Sequence, residues 1–123
     1  MLDYLPMEAN HVVGIKISGK IKLQDLERLI VIMEKKLDQH ERINVYVEVE
    51  FFGGVSRAAL VEDLKFVRRN FKRFARKAVV SEMKWMGTWT AAADHLFPSL
   101  EMSHFLPEQK ETALKWIQEE MET

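Results

Sequence analysis

Cysteine is absent from this chain of 123 residues. That excludes disulfides, thiolate nucleophiles and cysteine metal sites, and agrees with a reducing, cytoplasmic setting. Long apolar runs are missing too. None approaches the roughly 20 residues that a membrane-spanning helix needs, so a soluble protein is expected. Nor is there an excess of charge of one sign: 18 Lys and Arg against 19 Asp and Glu leave a formal charge of -1. A dedicated nucleic-acid binder usually carries a clear basic excess, and no nucleic-acid partner is expected here. Met1 leads into Leu2, Asp3 and Tyr4 without the basic and then apolar regions of a signal or transit peptide. Repeats, low-complexity tracts and linkers are lacking as well. At this length folding buries roughly two-thirds of the unfolded surface, and a single domain over residues 1–123 is expected.

What the chain does have is rhythm. Short β-branched runs alternate with amphipathic helical ones, and such strand–helix–strand units return parallel through right-handed crossovers. Leu2, Tyr4 and Leu5 before Pro6, then Val12, Val13, Ile15 and Ile17, read as an antiparallel hairpin turning at Met7 to Asn10. After Gly19 and Lys20, Leu23, Leu26, Leu29, Ile30, Met33 and Leu37 recur at steps of three and four, which predicts a helix through to His40. Ile43, Val45, Val47 and Val49 alternate with Asn44, Tyr46, Glu48 and Glu50, a period of two that turns one face to a core. This strand is expected to end at Phe51 to Gly54.

Ser56 suits a helix N-cap, and Leu60, Leu64, Val67 and Phe71 form the apolar stripe of a second helix running to about Phe74. Ala78 to Val80 is a brief strand. Trp85, Trp89, Ala92 and Leu96 share one face of a third helix that Pro98 ends. Leu100 to Leu106 alternates again. Pro107 opens a fourth helix, in which Glu108 and Glu111 complement the positive end and Ala113, Leu114, Ile117 and Met121 are the buried stripe.

The passages "HVVGIKISGKIKLQDLERL", "RKAVVSEMKWMGTWTAAADHLFP" and "MSHFLPEQKETALKWIQEE", set in the order β-β-α-β-α-β-α-β-α, resemble the SpoIIAA-like family. That family shares its fold with STAS domains and with the lipid-binding domain of the Sec14 (CRAL-TRIO) type. The resemblance covers nearly the whole chain through scaffold motifs rather than active-site motifs. It implies an α/β domain with a mixed five-stranded sheet, an N-terminal antiparallel hairpin and four helices, and frequent homodimers. It implies no agreed activity.

In STAS anti-sigma-factor antagonists a phosphorylatable Ser or Thr stands where a central strand meets the next helix, within an Asp-Ser-Ser/Thr-Gly motif. Ser56 occupies the comparable place, yet the stretch reads "EFFGGVSRAAL", without the preceding Asp or the following Gly. Ser56 is thus a candidate phospho-site and equally an N-cap hydroxyl; a phosphate beside Arg57 would suit a helix N-terminus. Phe52, Gly53 and Gly54 lie just before it. The two glycines could admit an anionic ligand at the carboxyl end of a parallel strand, or serve a tight turn that needs positive φ. Neither a P-loop nor a Gly-x-Gly-x-x-Gly pattern is present.

Trp85 and Trp89, with Met83, Met86 and Phe97 nearby, suit core packing, an interface or an apolar pocket. Lys65, Arg68, Arg69, Lys72, Arg73, Arg76 and Lys77 fall within thirteen residues that hold no acid. Such a run is either a solvated face complementing the helix C-terminus or a contact for anionic headgroups or an acidic partner. His11, His40, His95 and His104 lack metal-ligand spacing. Asp94, His95 and Ser81 are triad residue types, but adjacent Asp and His on a helix point apart. Glu48, Glu50, Glu62 and Asp63 carry no sign of a catalytic pair. No catalytic residue, metal or cofactor is expected. The reading is a non-enzymatic module, homodimeric, binding a small apolar or amphiphilic ligand or a protein partner near Phe52, Gly53, Gly54, Ser56, Trp85 and Trp89. The alternative is a regulatory switch phosphorylated at Ser56.

Overall fold

The computed structural model describes residues 1–82 and 100–119. Five strands, β1 (Leu2–Leu5), β2 (Val12–Ile21), β3 (Ile43–Val55), β4 (Phe74–Val80) and β5 (Glu101–Phe105), lie in the spatial order β1-β2-β3-β4-β5. β1 is antiparallel to β2, and every other neighbouring pair is parallel. The sheet is the mixed, hairpin-first one expected. Successive parallel strands step across it in one direction, so right-handed crossovers put α1 (Leu23–Gln39) and α2 (Arg57–Asn70) on the same face. A third helix, α3 (Lys110–Ile117), follows the last strand and covers the opposite face. These are the three α-helices of the described residues; the helix expected around Trp85 to Leu96 lies outside them, as does Met121.

The larger core forms where Val13, Ile15, Val45, Val47 and Val49 of the sheet meet Leu26, Leu29, Met33 and Leu37 of α1. Each fully buried aliphatic side chain contributes about 1.5–3 kcal/mol. α1 begins where Asp25, at its third position, accepts the free backbone N–H of Lys22 at 3.0 Å. Its far end is held by Arg73, which donates to the carbonyls of Leu37 (2.7 Å), His40 (3.0 Å) and Glu41 (3.0 Å). These carbonyls have no partner within the helix.

α2 departs from expectation in two ways. It stops at Asn70, one turn short of Phe74, and a 3-10 turn over Phe71–Arg73 leads into β4. Phe74 is then a strand residue, buried opposite Ile43 and stacked edge-on with Phe66. The cations interleaved around Phe74 break the apolar alternation by which a strand is legible in sequence. Second, the helix buries Ala59 and Phe66 rather than the stripe Leu60, Leu64, Val67 and Phe71; Leu60 and Leu64 are exposed.

The smaller core, on the α3 face, joins Val12, Tyr46, Ala78 and Val80 to Ala113 and Ile117. Here β3 turns Asn44 and Tyr46 inward, because a parallel strand between two layers is buried on both faces. Between Ile43 and Val45 the ladder takes two steps along β3 and three along β4, a β-bulge that leaves the Arg76 amide without a strand partner. Asn44 fills the gap: its Oδ1 accepts from Arg76 N at 3.0 Å while its Nδ2 donates to the Ile117 carbonyl at 2.8 Å. One buried amide therefore completes the bulge and ties the last turn of α3 to the sheet. Replacing Asn44→Ala is expected to strand two polar groups and cost about 2–4 kcal/mol in urea unfolding; a loss under 0.5 kcal/mol would refute this role.

Candidate functional site

The segment joining β3 to α2 was the sequence's first candidate. Its glycines answer to the backbone. Gly54 has φ +100, a left-handed value that L side chains rarely adopt. At Gly53 an added Cβ would stand 2.9 Å from the Gly19 carbonyl carbon and 3.0 Å from the Lys20 nitrogen. Both are main-chain atoms of β2, so the missing side chain at Gly53 makes room for a neighbouring strand. Phe52 is half-buried and packs against the larger core. Ser56 is the N-cap: its Oγ accepts from Ala59 N at 3.1 Å, and its own N–H extends the ladder to Ile21 O at 3.0 Å. Trp85 and Trp89, the other half of that candidate, lie outside the described residues, as do Asp94 and His95.

On the α3 face a polar group gathers around Glu48. Its Oε1 accepts from the Tyr46 hydroxyl at 2.8 Å and from Lys110 Nζ at 2.8 Å. Desolvation opposes ionisation of Glu48, but hydrogen bonds from Lys110 and Tyr46, with the charges of Lys110 and Lys16, outweigh it and hold the carboxyl below its ordinary value. Burial, aided by Glu48, pushes the Tyr46 phenol well above its usual range, so it stays a neutral donor. The arrangement ties β3 to the start of α3. Ser81 and His104 also meet, through the Ser81 backbone carbonyl, which accepts from His104 Nε2 at 2.9 Å. The hydroxyl is not the atom in that contact. Among the described residues no group of three His, Asp or Glu side chains could hold a metal.

The basic stretch divides. Arg73 caps α1, and Arg76 stacks over Trp116 at 4.9 Å while bonding Glu119 at 2.7 Å and the Trp116 carbonyl at 2.9 Å. Lys77 points to the face that α2 covers, and desolvation holds its ammonium below the ordinary lysine value against the charge of Asp63. Lys65, Arg68, Arg69 and Lys72 are exposed, and Arg57 joins them from the first turn. At roughly 100° per residue, Leu60 and Leu64 lie about 110° and 150° from the buried Ala59–Phe66 line. Arg57, Val61, Leu64 and Arg68 follow one another at steps of four, three and four, forming a crest that faces away from the sheet. Leu60, Val61 and Leu64 are 48%, 51% and 59% exposed. The spacing of Leu60 and Leu64 predicts a buried stripe and so conceals this crest. The signal was there in Ala59 and Phe66, seven apart and free of cations.

The mixed sheet, with parallel crossovers on one face and a closing helix on the other, defines a STAS-like α/β fold. The SpoIIAA-like family model matches residues 12–118, and the chain belongs to that family. Among solved structures it is similar to an uncharacterized protein from the DUF3478 family with a SpoIIAA-like fold, from Shewanella loihica PV-4. The two are 22% identical with a TM-score of 0.72, over 95% of this chain and 92% of that one. No curated protein matches the chain.

Two outcomes are expected of this region. Gly53→Ala should lower stability by about 1–3 kcal/mol, because the β2 backbone and the Gly53 strand must move apart; an unchanged urea midpoint would return Gly53 to the ligand-approach reading. The lowered Glu48 carboxyl means that folding favours its ionised form. That stability is present above the unfolded value and is lost as pH falls through the lower folded one. Acid unfolding followed by circular dichroism should therefore be shallower in Glu48→Gln than in the wild type below about pH 5.

Proposed function

We propose that this chain is a non-enzymatic binding module that docks on an anionic partner through the outward crest of α2. The observation that carries the reading is the pairing of Val61 and Leu64, each more than half exposed, with Arg57 and Arg68 along one line of the helix. Contiguous exposed apolar side chains rimmed by polar residues mark contact surfaces; Glu62 and Asp63 lie on other lines of the same helix. Binding rather than catalysis is favoured by the Tyr46–Glu48–Lys110 group, whose polar atoms are already engaged with one another. A homodimer would use another face, since a two-fold contact here would set Arg57 of each copy against Arg68 of the other. Ser56, with its hydroxyl occupied in the cap, lends the phosphorylated switch little support.

The test is site-specific photo-crosslinking in cells, with the photoreactive residue at position 64 and, as control, at position 31. Val31 is 53% exposed on α1 and lies away from the crest. Adducts at 64 that disappear when Arg68→Glu is added are expected. Equal labelling at both positions, or none at 64, would overturn the docking surface.

A further inference from the structure

We infer that the occupant of the α2 crest is the anionic surface of a lipid bilayer. This rests on the docking reading above. Five exposed cations, Arg57, Lys65, Arg68, Arg69 and Lys72, share α2 and the turn after it with the exposed Leu60, Val61 and Leu64. Among the described residues, only Lys65 of the five has an acidic partner close by, Glu62 at a loose 3.8 Å. The chain's overall charge is -1, so this face stands out against an acidic remainder, which includes Glu101, Glu108, Glu111 and Glu119 around the α3 side. Such polarity orients a molecule at a negative surface before contact.

Shape selects between anionic partners. The apolar side chains sit on the crest of one convex helix. A folded acidic protein would need a matching groove, whereas a fluid headgroup layer takes up a convex amphipathic helix, with Leu and Val entering and Arg and Lys remaining among the phosphates. Three apolar residues are too few to hold the protein at a neutral membrane, so charge and insertion must act together. Lys77, Arg73 and Arg76 take no part, since each is turned to the fold's own structure.

The experiment is vesicle flotation of the full chain with phosphatidylcholine alone and with phosphatidylcholine containing 30 mol% phosphatidylglycerol, where that fraction is a chosen order of magnitude, roughly that of anionic cell membranes. Binding to the anionic vesicles only is expected, and it should weaken sharply between about 0.1 and 0.5 M salt. Arg57→Gln with Arg68→Gln should weaken it about 25-fold, at roughly fivefold per cation. Leu64→Ser should weaken it further, which simple adsorption would not show, while Lys115→Gln on α3 should leave it unchanged. All these positions are exposed, so the variants should keep the wild-type urea midpoint. Failure to float with anionic vesicles, or equal binding to both kinds, overturns the inference. If protein adducts at position 64 persist in that case, the docking surface stands and its partner is an acidic protein; if those are missing too, both readings fall.

Discussion

A single buried carboxamide, that of Asn44, meets the demands of three separate elements. β4 carries one residue more than β3 across their bulge, which orphans an amide, and α3 ends in a carbonyl that faces the sheet. Asn44 offers one acceptor and one donor in the plane needed for both. Without it, the bulge would bury an unpaired N–H, and the last turn of α3 would lose its hydrogen bond to the sheet. The bulge in turn sets the direction of Arg76, which lies over Trp116 on the α3 face, while Lys77 and Val79 point to the other. The two-layer covering of the sheet thus depends on a polar group in a position that pattern alone would give to a hydrophobe.

The same geometry sorts the cations. Seven Lys and Arg residues between positions 65 and 77 form one block in sequence, yet they serve three purposes in space. Arg73 closes the end of α1, Arg76 and Lys77 sit against the two faces of β4, and the remainder stay outward on α2 and the turn after it, with Arg57. What remains outside is smaller than the run in sequence, but it is better defined: cations bracketing Val61 and Leu64 on one helical line. A charge run is a linear fact, whereas a charged surface requires knowing where the helix ends and the strand begins.

Several features were legible from residues alone. The period of two in β3 and the steps of three and four in α1 fixed their types and inner faces, because one side of each must meet the larger core. Ser56 as an N-cap was also readable, since a hydroxyl before a helical run has an unpaired N–H within reach. The start of β4 was not. Phe74 to Lys77 interleaves cations with apolar residues, and only the bulge and the Asn44 bond make that stretch a strand. Nor was the inner face of α2, where Leu60 and Leu64 satisfy a helical period as well as Ala59 and Phe66 do. Ala59 wins because it lets the helix approach closely, and Phe66 because it stacks on Phe74.

By itself, the sequence determined the alternation of strands and helices, and with it the parallel crossovers and the family. Those follow from local periodicity and from the handedness of the chain. Tertiary structure alone decided which face of α2 meets the sheet, which cations stay exposed, and that Gly53 serves a neighbouring strand. Each of these turns on contacts between residues far apart in sequence, where packing and the pairing of buried polar groups outweigh local preference.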